Sequence, residues 1–416
     1  MKIGQFAAEN HISIDTVRYY MELGLIIPHK KGGQYEFDHI CTRDMEEILK
    51  LKELGFSLQE IKTFFYYRQF VKVENKISSK YYRAFFQRKI EDTQKTIESL
   101  TRNLKVLEDR LAVYDAKESR TMPKRGIELG SLSILCCPGC GGDLLLQRGT
   151  IEDNQVVEGF VVCGCGGRYE INDGILILGK AAEHENTDVS GNIYKEADML
   201  FEYIDSTNSI FLDITYQSLN WYDYKTKKED FTGKVVLELG TGAGSFLRTV
   251  YDKLGDDTLY IAIDNDINVL RLIKSIIESS DSKRNIMYIC ADFKQLPIKE
   301  GSVDILVDWA GSTNYNFEHN DFLLEGITRY LKDNSILYGG YILFDKFGRH
   351  NTMKLEYRKN FALESVKKAL DRLNLTLVDE LYSPKYYCRE TYKYESYQQL
   401  GDVIFMYLCT RRFQKP

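Results

Sequence analysis

Apolar residues at the start of the chain recur at helical spacing. Ile3, Phe6 and Ala7 fall on one face of a helix, so residues 2–9 are predicted to form a short amphipathic helix. A polar turn follows, in which Ser13 is a good N-cap for a second helix. The pattern therefore predicts two short helices joined by a turn.

The residues after the second helix predict a hairpin. In Lys30-Lys31-Gly32-Gly33-Gln34-Tyr35, two glycines separate two short strands, which is typical of a hairpin turn. A helix is predicted over about residues 43–54, and the capping-box pattern of Ser57 and Glu60 begins another. This order of elements predicts a winged helix-turn-helix over residues 1–75.

A heptad pattern follows and predicts a coiled-coil helix over residues 76–120. The apolar seam consists of Ile90, Ile97, Leu104 and Leu111, with Leu100, Leu107 and Tyr114 three residues later. Such a seam spans about 37 Å at roughly 1.5 Å per residue, which is too long for a small domain to bury. We therefore expect pairing with a second copy; packing on the chain's own later domain is the alternative.

From residue 235 onward, apolar strands alternate with helices. Strands are predicted at 235–239, 259–264, 285–292, 301–308, 336–344, 375–380 and 403–409, with helices near 322–331 and 363–373. Regular alternation predicts a doubly wound sheet, in which ligands bind at the carboxyl ends of the strands. The fold class is therefore multi-domain α plus α/β.

Charge is distributed unevenly. Residues 1–125 contain 23 Lys+Arg and 18 Asp+Glu, whereas the remainder contains 32 and 43, within a total of −6. The excess of basic residues in 1–125 suits contact with phosphates. The alternative is an ordinary, random variation of charge along the chain. We see no signal peptide and no apolar run of about 20 residues, so we expect a cytoplasmic protein that does not cross a membrane.

The predicted second helix and hairpin carry groups that suit DNA. On the helix, Thr16, Arg18 and Tyr19 can face outward, and Arg can bind guanine or phosphate while hydroxyls donate to phosphate oxygens. Lys30 and Lys31 lie at the hairpin tip. A helical protein-interaction domain is the alternative interpretation.

The predicted winged helix-turn-helix of residues 1–75, called the head from here on, resembles the mercury-resistance-regulator (MerR) family over roughly its first 70 residues. The matching positions are Lys2-Ile3-Gly4, Arg18-Tyr19-Tyr20, Gly24-Leu25, Tyr35 and Leu54-Gly55-Phe56-Ser57-Leu58-Gln59-Glu60-Ile61. The resemblance implies that Arg18 and Tyr19 contact DNA, that Tyr35 contacts its backbone, and that the long helix forms an antiparallel dimer. A departure is Glu36, where the family usually has a basic residue.

A polar segment, 117–130, is predicted to be a linker, and a cysteine-rich module follows at 131–178. The candidate ligands of Zn²⁺ are Cys137, Cys140, Cys163 and Cys165, with Cys136 as a spare. Glycine-rich turns at both pairs suit a closed, tetrahedral structural site. The module resembles the zinc ribbon found beside many methyltransferases, although its second pair is Cys-x-Cys. Unliganded cysteines or a redox pair at Cys163 and Cys165 are the alternatives.

The predicted α/β region from residue 235 onward contains a glycine-rich turn and two strands that end in an acidic residue. Glycines at the turn 240–244 let the backbone approach a ligand closely. Asp264 can accept hydrogen bonds from ribose hydroxyls, and Asp292 can accept one from the adenine amino group. Residues 230–412 resemble class I S-adenosylmethionine-dependent methyltransferases. The implied cofactor residues are Glu238, Gly240, Gly242, Gly244, Asp264, Asp292 and Phe293. A nicotinamide-binding Rossmann domain is the alternative.

The methyl acceptor is less well specified. Asp308-Trp309-Ala310-Gly311 follows the fourth strand, in place of the Asn/Asp-Pro-Pro-Tyr loop used on nucleobase or amide nitrogens, which argues against DNA base methylation. Asp308 and His319 are candidate general bases. A small-molecule acceptor is therefore favoured.

Together the patterns predict a regulator with a winged helix-turn-helix, a coiled-coil helix, a small β zinc ribbon and a Rossmann-like methyltransferase sheet at 190–416. Expected partners are promoter DNA, a second copy, RNA polymerase and a small-molecule acceptor. Two alternatives stay open: a catalytically silent sensor of S-adenosylmethionine or its product, and an RNA methyltransferase with an added DNA-binding head.

Overall fold

The computed structural model describes residues 1–70, 76–118, 125–178, 201–280, 282–390 and 398–415. The chain divides into two compact units, Met1–Arg120 and Thr121–Pro416. Among the described residues, no helix is both long enough and apolar enough to span a bilayer.

The first unit has the element order that the sequence predicts. Its elements are α1 Ile3–Glu9, α2 Ile14–Glu22, β1 His29–Lys31, β2 Gln34–Glu36, α3 His39–Glu53, α4 Leu58–Phe70 and α5 Lys76–Glu118. The predicted N-cap is confirmed, because Ser13 Oγ accepts from the Thr16 amide at 3.0 Å. The capping box is confirmed too: the Ser57 amide donates to Glu60 Oε2 at 2.6 Å, and the Glu60 amide donates to Ser57 Oγ at 3.3 Å.

The beginning and the remainder of α5 have different surroundings. Phe85 and Phe86 join the core of the head, where the Phe85 ring stacks on Phe56 with centroids 4.9 Å apart. All seven predicted seam residues beyond them are 55–67% exposed. The single helix is thus as predicted, and its pairing with a second copy stays a prediction.

The second unit is built on one large sheet. Its strands are β3 Ile127–Glu128, β4 Leu145–Glu152, β5 Gln155–Val162, β6 Arg168–Asn172, β7 Ile175–Ile177, β8 Val235–Leu239, β9 Leu259–Asp264, β10 Asn285–Cys290, β11 Val303–Trp309, β12 Leu331–Lys346, β13 Leu375–Tyr382, β14 Tyr386–Tyr387 and β15 Val403–Phe413. The order along the sheet is β13-β15-β12-β11-β8-β9-β10-β7-β6-β5-β3, with β14 paired to β15 and β4 to β5. Strands β12, β11, β8, β9, β10 and β7 pair in parallel, as a doubly wound fold requires.

Helices and loops cover both faces of this sheet. The helices are α6 Ser209–Thr226, α7 Ser245–Val250, α8 Ile267–Glu278, α9 Gly311–Asn316, α10 Leu324–Ile327 and α11 Leu363–Arg372. Alternate residues of each central strand enter separate cores: Leu237 packs in one, and Val236 packs in the other. The helix predicted near 322–331 is shorter than expected: α10 ends at Ile327, a 3₁₀ turn follows at Thr328–Tyr330, and β12 begins at Leu331.

The prediction of a linker is wrong for residues 125–130. Ile127 and Glu128 form β3, which pairs antiparallel with β5, and Ile127 is fully buried. The Arg125 guanidinium donates to the carbonyl oxygens of Ser280 and Ser282 at 3.1 and 3.2 Å. The glycine that suggested a flexible linker instead permits close approach: a Cβ on Gly126 would lie 2.3 Å from the Val156 carbonyl oxygen.

We therefore expect Gly126→Ala to lower the free energy of unfolding of the second unit by about 1–3 kcal/mol, because a backbone atom must move to admit the methyl group. The measurement is urea denaturation followed by tryptophan fluorescence, since both tryptophans, Trp221 and Trp309, lie in that unit.

Gly130→Ala is the matched control, because its Cβ would meet nothing within 4 Å. It should change the free energy of unfolding by no more than about 0.5 kcal/mol. Equal stability of the two variants would contradict the placement of residues 125–130 in the sheet.

Candidate functional site

The exposed side of α2 carries the residues predicted to contact DNA. Val17 and Tyr20 are buried in the head core, so Arg18 and Tyr19 face outward, with Tyr19 50% exposed. The Arg18 side chain is 63% exposed and forms an ion pair with Asp15 at 3.0 Å. Such an exposed pair is worth little, which leaves the guanidinium available for a phosphate or a base edge. Thr16 is half-buried, and its hydroxyl lies 2.8 Å from Ser13 Oγ.

The β1–β2 hairpin presents the basic residues of the predicted wing. Gly32 and Gly33 have φ of 59° and 85°, which a two-residue hairpin turn of this kind requires. Lys30 and Tyr35 are directly opposite each other across the hairpin, and Lys30 Nζ lies 5.7 Å from the Tyr35 ring centroid. Lys30, Lys31 and Tyr35 are all exposed, so the hairpin offers cationic and hydroxyl groups to solvent.

The second unit brings the four predicted cysteine ligands together. The sulfur atoms of Cys137, Cys140, Cys163 and Cys165 all lie within 4.8 Å of one another. Cys137 is 3.7 Å from Cys165, and Cys140 is 3.4 Å from Cys163. Tetrahedral Zn²⁺ with bonds of about 2.3 Å requires sulfur atoms roughly 3.8 Å apart, so the donor set fits. Both of these separations join one cysteine turn to the other, which suits a shared metal better than a redox pair at Cys163 and Cys165.

The surroundings of Cys137 favour its thiolate. The Tyr169 hydroxyl lies 3.5 Å from Cys137 Sγ, and this contact, aided by the amides of Gly139 and Cys140, lowers the pKa of Cys137 to about 6. Thiolate is the form that binds metals. A Cβ on Gly167 would lie 3.2 Å from Cys137 Sγ, which is tighter than an ordinary contact, so glycine lets that turn pack closely on the sulfur. Cys136 is not part of the group, as predicted.

The glycine turn after β8 is held against the end of β9. The Gly242 amide donates to Asp264 Oδ2 at 2.9 Å, and the Thr241 amide donates to the Ile263 carbonyl at 2.9 Å. Gly240, Gly242 and Gly244 have φ of 65°, 52° and 71°, where residues with a Cβ are strained. The turn is therefore fixed in a conformation that exposes backbone next to an acidic strand end.

Three acids lie at this edge in different environments. Glu238 is 1% exposed and accepts from the Tyr260 hydroxyl at 3.0 Å; burial raises its pKa to about 8. Burial also raises the pKa of Asp264. Asp292 is exposed, and its Oδ1 accepts from the Lys294 amide at 2.9 Å. The half-buried Phe293 ring reaches back to the glycine turn, 3.6 Å from where a Gly240 Cβ would lie.

The two candidate bases have different positions. Asp308 is fully buried, and its Oδ1 accepts from the Ser312 amide at 2.7 Å, so it fixes the start of α9; burial raises its pKa to about 6. His319 is half-buried, stacks on Tyr315 with ring centroids 3.9 Å apart, and has Nδ1 2.9 Å from the Tyr315 carbonyl oxygen. A catalytic role stays a prediction for both.

Sequence reasoning missed a cavity of about 550 Å³ beside α9. Its lining residues are Asn314, Phe317, Glu318, Asn351, Thr352, Met353, Lys354, Tyr357 and Gln399. Asp402, which is fully buried, fixes one wall by accepting from the Gly348 amide at 2.7 Å, the Gln399 amide at 2.7 Å and the Asn351 side chain at 2.9 Å. These residues lie far apart in sequence and follow no motif, so only the tertiary fold reveals them.

Comparison with known proteins separates the chain into two matches. The family described as MerR HTH family regulatory protein matches residues 1–68, and the family described as methyltransferase domain matches residues 236–334. The HTH-type transcriptional regulator YfmP of Bacillus subtilis is 39% identical over 67 residues, which cover 15% of this chain and 48% of that protein. An uncharacterized chloroplastic methyltransferase of Arabidopsis thaliana is 23% identical over 225 residues, covering 51% of this chain and 63% of that protein.

The chain thus spans about half to three fifths of the length of these curated relatives. Among solved structures, the YcgJ protein of Bacillus subtilis aligns with 48% of this chain and 100% of its own, at 11% identity and a TM-score of 0.37. Residues 1–68 therefore match a MerR-type helix-turn-helix domain, and residues 236–334 of the same chain match a methyltransferase domain.

Proposed function

We propose that this protein is a dimeric transcriptional regulator that binds promoter DNA and uses S-adenosylmethionine to methylate a small molecule. The observation that carries the proposal is the presence, on one chain, of an exposed helix face at Arg18 and Tyr19 and a glycine turn held against the acidic strand end at Asp264. Regulation would follow if a ligand bound at this strand-end site changed the affinity of the head for its operator.

The proposed DNA contacts are Thr16, Arg18, Tyr19, Lys30, Lys31 and Tyr35. Arg18 and Tyr19 would enter the major groove from α2, and the wing would contact phosphates. The exposed seam of α5 supports a homodimer, because an exposed apolar stripe of this length is costly in water. Two heads would then bind a palindromic promoter site, where RNA polymerase is a proposed partner.

The residues at the strand ends fit S-adenosylmethionine. Asp264 would accept the ribose hydroxyls, while Asp292 and Phe293 would hold adenine through its amino group and its ring face. Glu238 would face the methionine ammonium, with the backbone at the glycine turn Gly240–Gly244 lining the same side. The cofactor supplies an electrophilic methyl group when bound; the protein's task is to bind, orient and exclude water.

We assign the methyl acceptor to the cavity beside α9. Asn314 and Phe317 line it and lie on or next to α9, whose first residue, Gly311, packs against the glycine turn. A cavity of about 550 Å³ with amide, hydroxyl and aromatic walls suits a small molecule that carries polar groups on a flat ring.

His319 is the proposed base for such an acceptor. Because Nδ1 faces the Tyr315 carbonyl oxygen, which can only accept a hydrogen bond, the neutral ring would carry its proton on Nδ1 and leave Nε2 as the acceptor. Asp308 has a different proposed role: it positions α9 from inside the sheet, since its carboxylate is fully buried and holds the Ser312 amide.

We also propose that the four cysteines bind Zn²⁺ as a closed structural site. Four sulfur donors at tetrahedral spacing and amides directed at Cys137 support it. Cys140 and Cys165 are exposed, so a metal would fix parts of the module that packing does not. The module 131–178 would then be a zinc ribbon, between a coiled-coil helix at 76–120 and a methyltransferase domain at 190–416.

The function is tested by incubating the full chain with tritiated S-adenosylmethionine and either a panel of phenols and aromatic amines or ribosomal and transfer RNA. We expect label in a small molecule and not in RNA. Asn314→Ala should raise KM for the acceptor by about tenfold through a lost hydrogen bond. Asn103→Ala, an exposed asparagine on α5 of the first unit, is the matched control. Labelled RNA would establish the RNA methyltransferase instead, and tight cofactor binding without turnover would establish a sensor.

Arg18→Ala should reduce operator binding by about five- to 150-fold, because a guanidinium contact to a base or phosphate is worth about 1–3 kcal/mol. The operator is first selected from random duplexes at low ionic strength and then measured by fluorescence polarisation. Arg148→Ala, an exposed arginine of the second unit, should bind DNA normally. Neither change should alter cofactor affinity, and loss of both activities in Arg18→Ala would refute independent units.

Cofactor affinity should rise with pH. In the free protein the pKa of Glu238 is raised to about 8, so its carboxyl is neutral below that pH and gains the charge that attracts an ammonium above it. We expect the Kd of S-adenosylhomocysteine, measured by calorimetry, to fall by about tenfold between pH 7 and pH 8.5. Glu238→Gln should remove this dependence, whereas Glu364→Gln on the surface should retain it. A flat profile for the unmodified protein would exclude Glu238 from the methionine site.

A further inference from the structure

The cysteine module is hydrogen-bonded directly to the strand that leads to the adenine site. Ile175, Leu176 and Ile177 of β7 pair in parallel with β10, and Ile177 lies opposite Cys290. The Leu178 amide then donates to the Cys290 carbonyl oxygen at 2.9 Å. Because Asp292 follows Cys290 by two residues, the module holds the start of the loop that carries Asp292 and Phe293.

The other end of that loop is held by the first cysteine turn. The Cys136 amide donates to the Pro297 carbonyl at 3.0 Å, and the Lys299 amide donates to the Ile134 carbonyl at 2.9 Å. Leu135 and Ile298, which lie between these bonds, are each 1% exposed. The loop 291–299 is thus fixed at both ends by the module, and one of the fixing residues is the chain neighbour of Cys137.

A third connection reaches α8, the helix that follows Asp264. Lys274 is only 2% exposed and forms ion pairs with Glu278 at 2.6 Å and with Asp173, in the turn between β6 and β7, at 3.6 Å. Glu278 also accepts from the Arg125 amide at 2.8 Å. Displacing this turn would leave a buried charge without one of its partners, which is costly. The module therefore bears on both acidic strand ends.

From these contacts we propose that the cysteine site is a positioning element for the cofactor site, so that metal binding and cofactor binding strengthen each other. The inference rests on the proposed function, in which the module binds zinc and the strand ends at Asp264 and Asp292 bind S-adenosylmethionine. A metal would fix the turn 137–140, and the backbone bonds at 134–136 would transmit that order to 297–299. Without the metal, loop 291–299 would lose part of its support. Cofactor binding would then have to order the loop, and the lost conformational entropy would weaken the contacts to adenine.

The test compares Cys140→Ala with Cys136→Ala in the full chain. Cys140 is an exposed candidate ligand, whereas Cys136 is its neighbour outside the sulfur group. Elemental analysis should find one zinc per chain in the parent and in Cys136→Ala and little in Cys140→Ala. Calorimetry with S-adenosylhomocysteine should give a Kd about tenfold higher for Cys140→Ala alone. Hydrogen exchange should rise at 285–299 in that variant.

A reciprocal measurement on the unmodified chain covers the case in which Cys140→Ala fails to fold. Saturating S-adenosylhomocysteine should tighten zinc by the same factor, measured by competition with a chromogenic chelator, because coupling free energies are symmetric. If both ligands bind and neither changes the other's affinity, the coupling is refuted. If the chain binds no zinc, or no S-adenosylhomocysteine, the corresponding part of the proposed function fails instead.

Discussion

The second unit depends on the parallel pairing of β8, β9 and β10. Each strand fits its neighbour in continuous register, with Leu239 opposite Ile263 and Asp264 opposite Cys290. Parallel strands end at one edge of a sheet, so the glycine turn and the two acidic strand ends converge although they are distant in sequence. The cavity, the buried Asp308 and the cysteine module all take their positions from this frame.

Local signals made much of the fold predictable. Ser13 and Ser57 begin helices because their hydroxyls reach amides one turn ahead, an interaction within four residues. The paired glycines of the wing and the apolar runs of the strands are also local signals, because each predicts its element from a short stretch of sequence. The cysteine group could be anticipated too, since ligand residue type and spacing restrict what a chain can form. Its metal and the roles of the site residues stay predictions.

The remainder follows from contacts between distant segments. The polar sequence around Gly126 predicts a linker. In the structure, its lack of a side chain lets the backbone lie against Val156. The sequence around Asp402 predicts no structural role for it, because its position depends on tertiary contacts such as the hydrogen bond from the Gly348 amide. Asp308 was predicted as a base from its strand-end position, and sequence cannot reveal that its carboxylate is buried against Ser312.

The rigid attachment of α5 to the head has a geometric consequence. Phe85 and Phe86 fix the helix in the aromatic core, while Tyr114, 67% exposed, lies about 42 Å further along at roughly 1.5 Å per residue. Such a rod works as a lever: a tilt of about 5° at its aromatic pivot sweeps the far end through nearly 4 Å. The distance is larger than a hydrogen bond tolerates, so a slight change of angle at one end suffices to break or make contacts at the other.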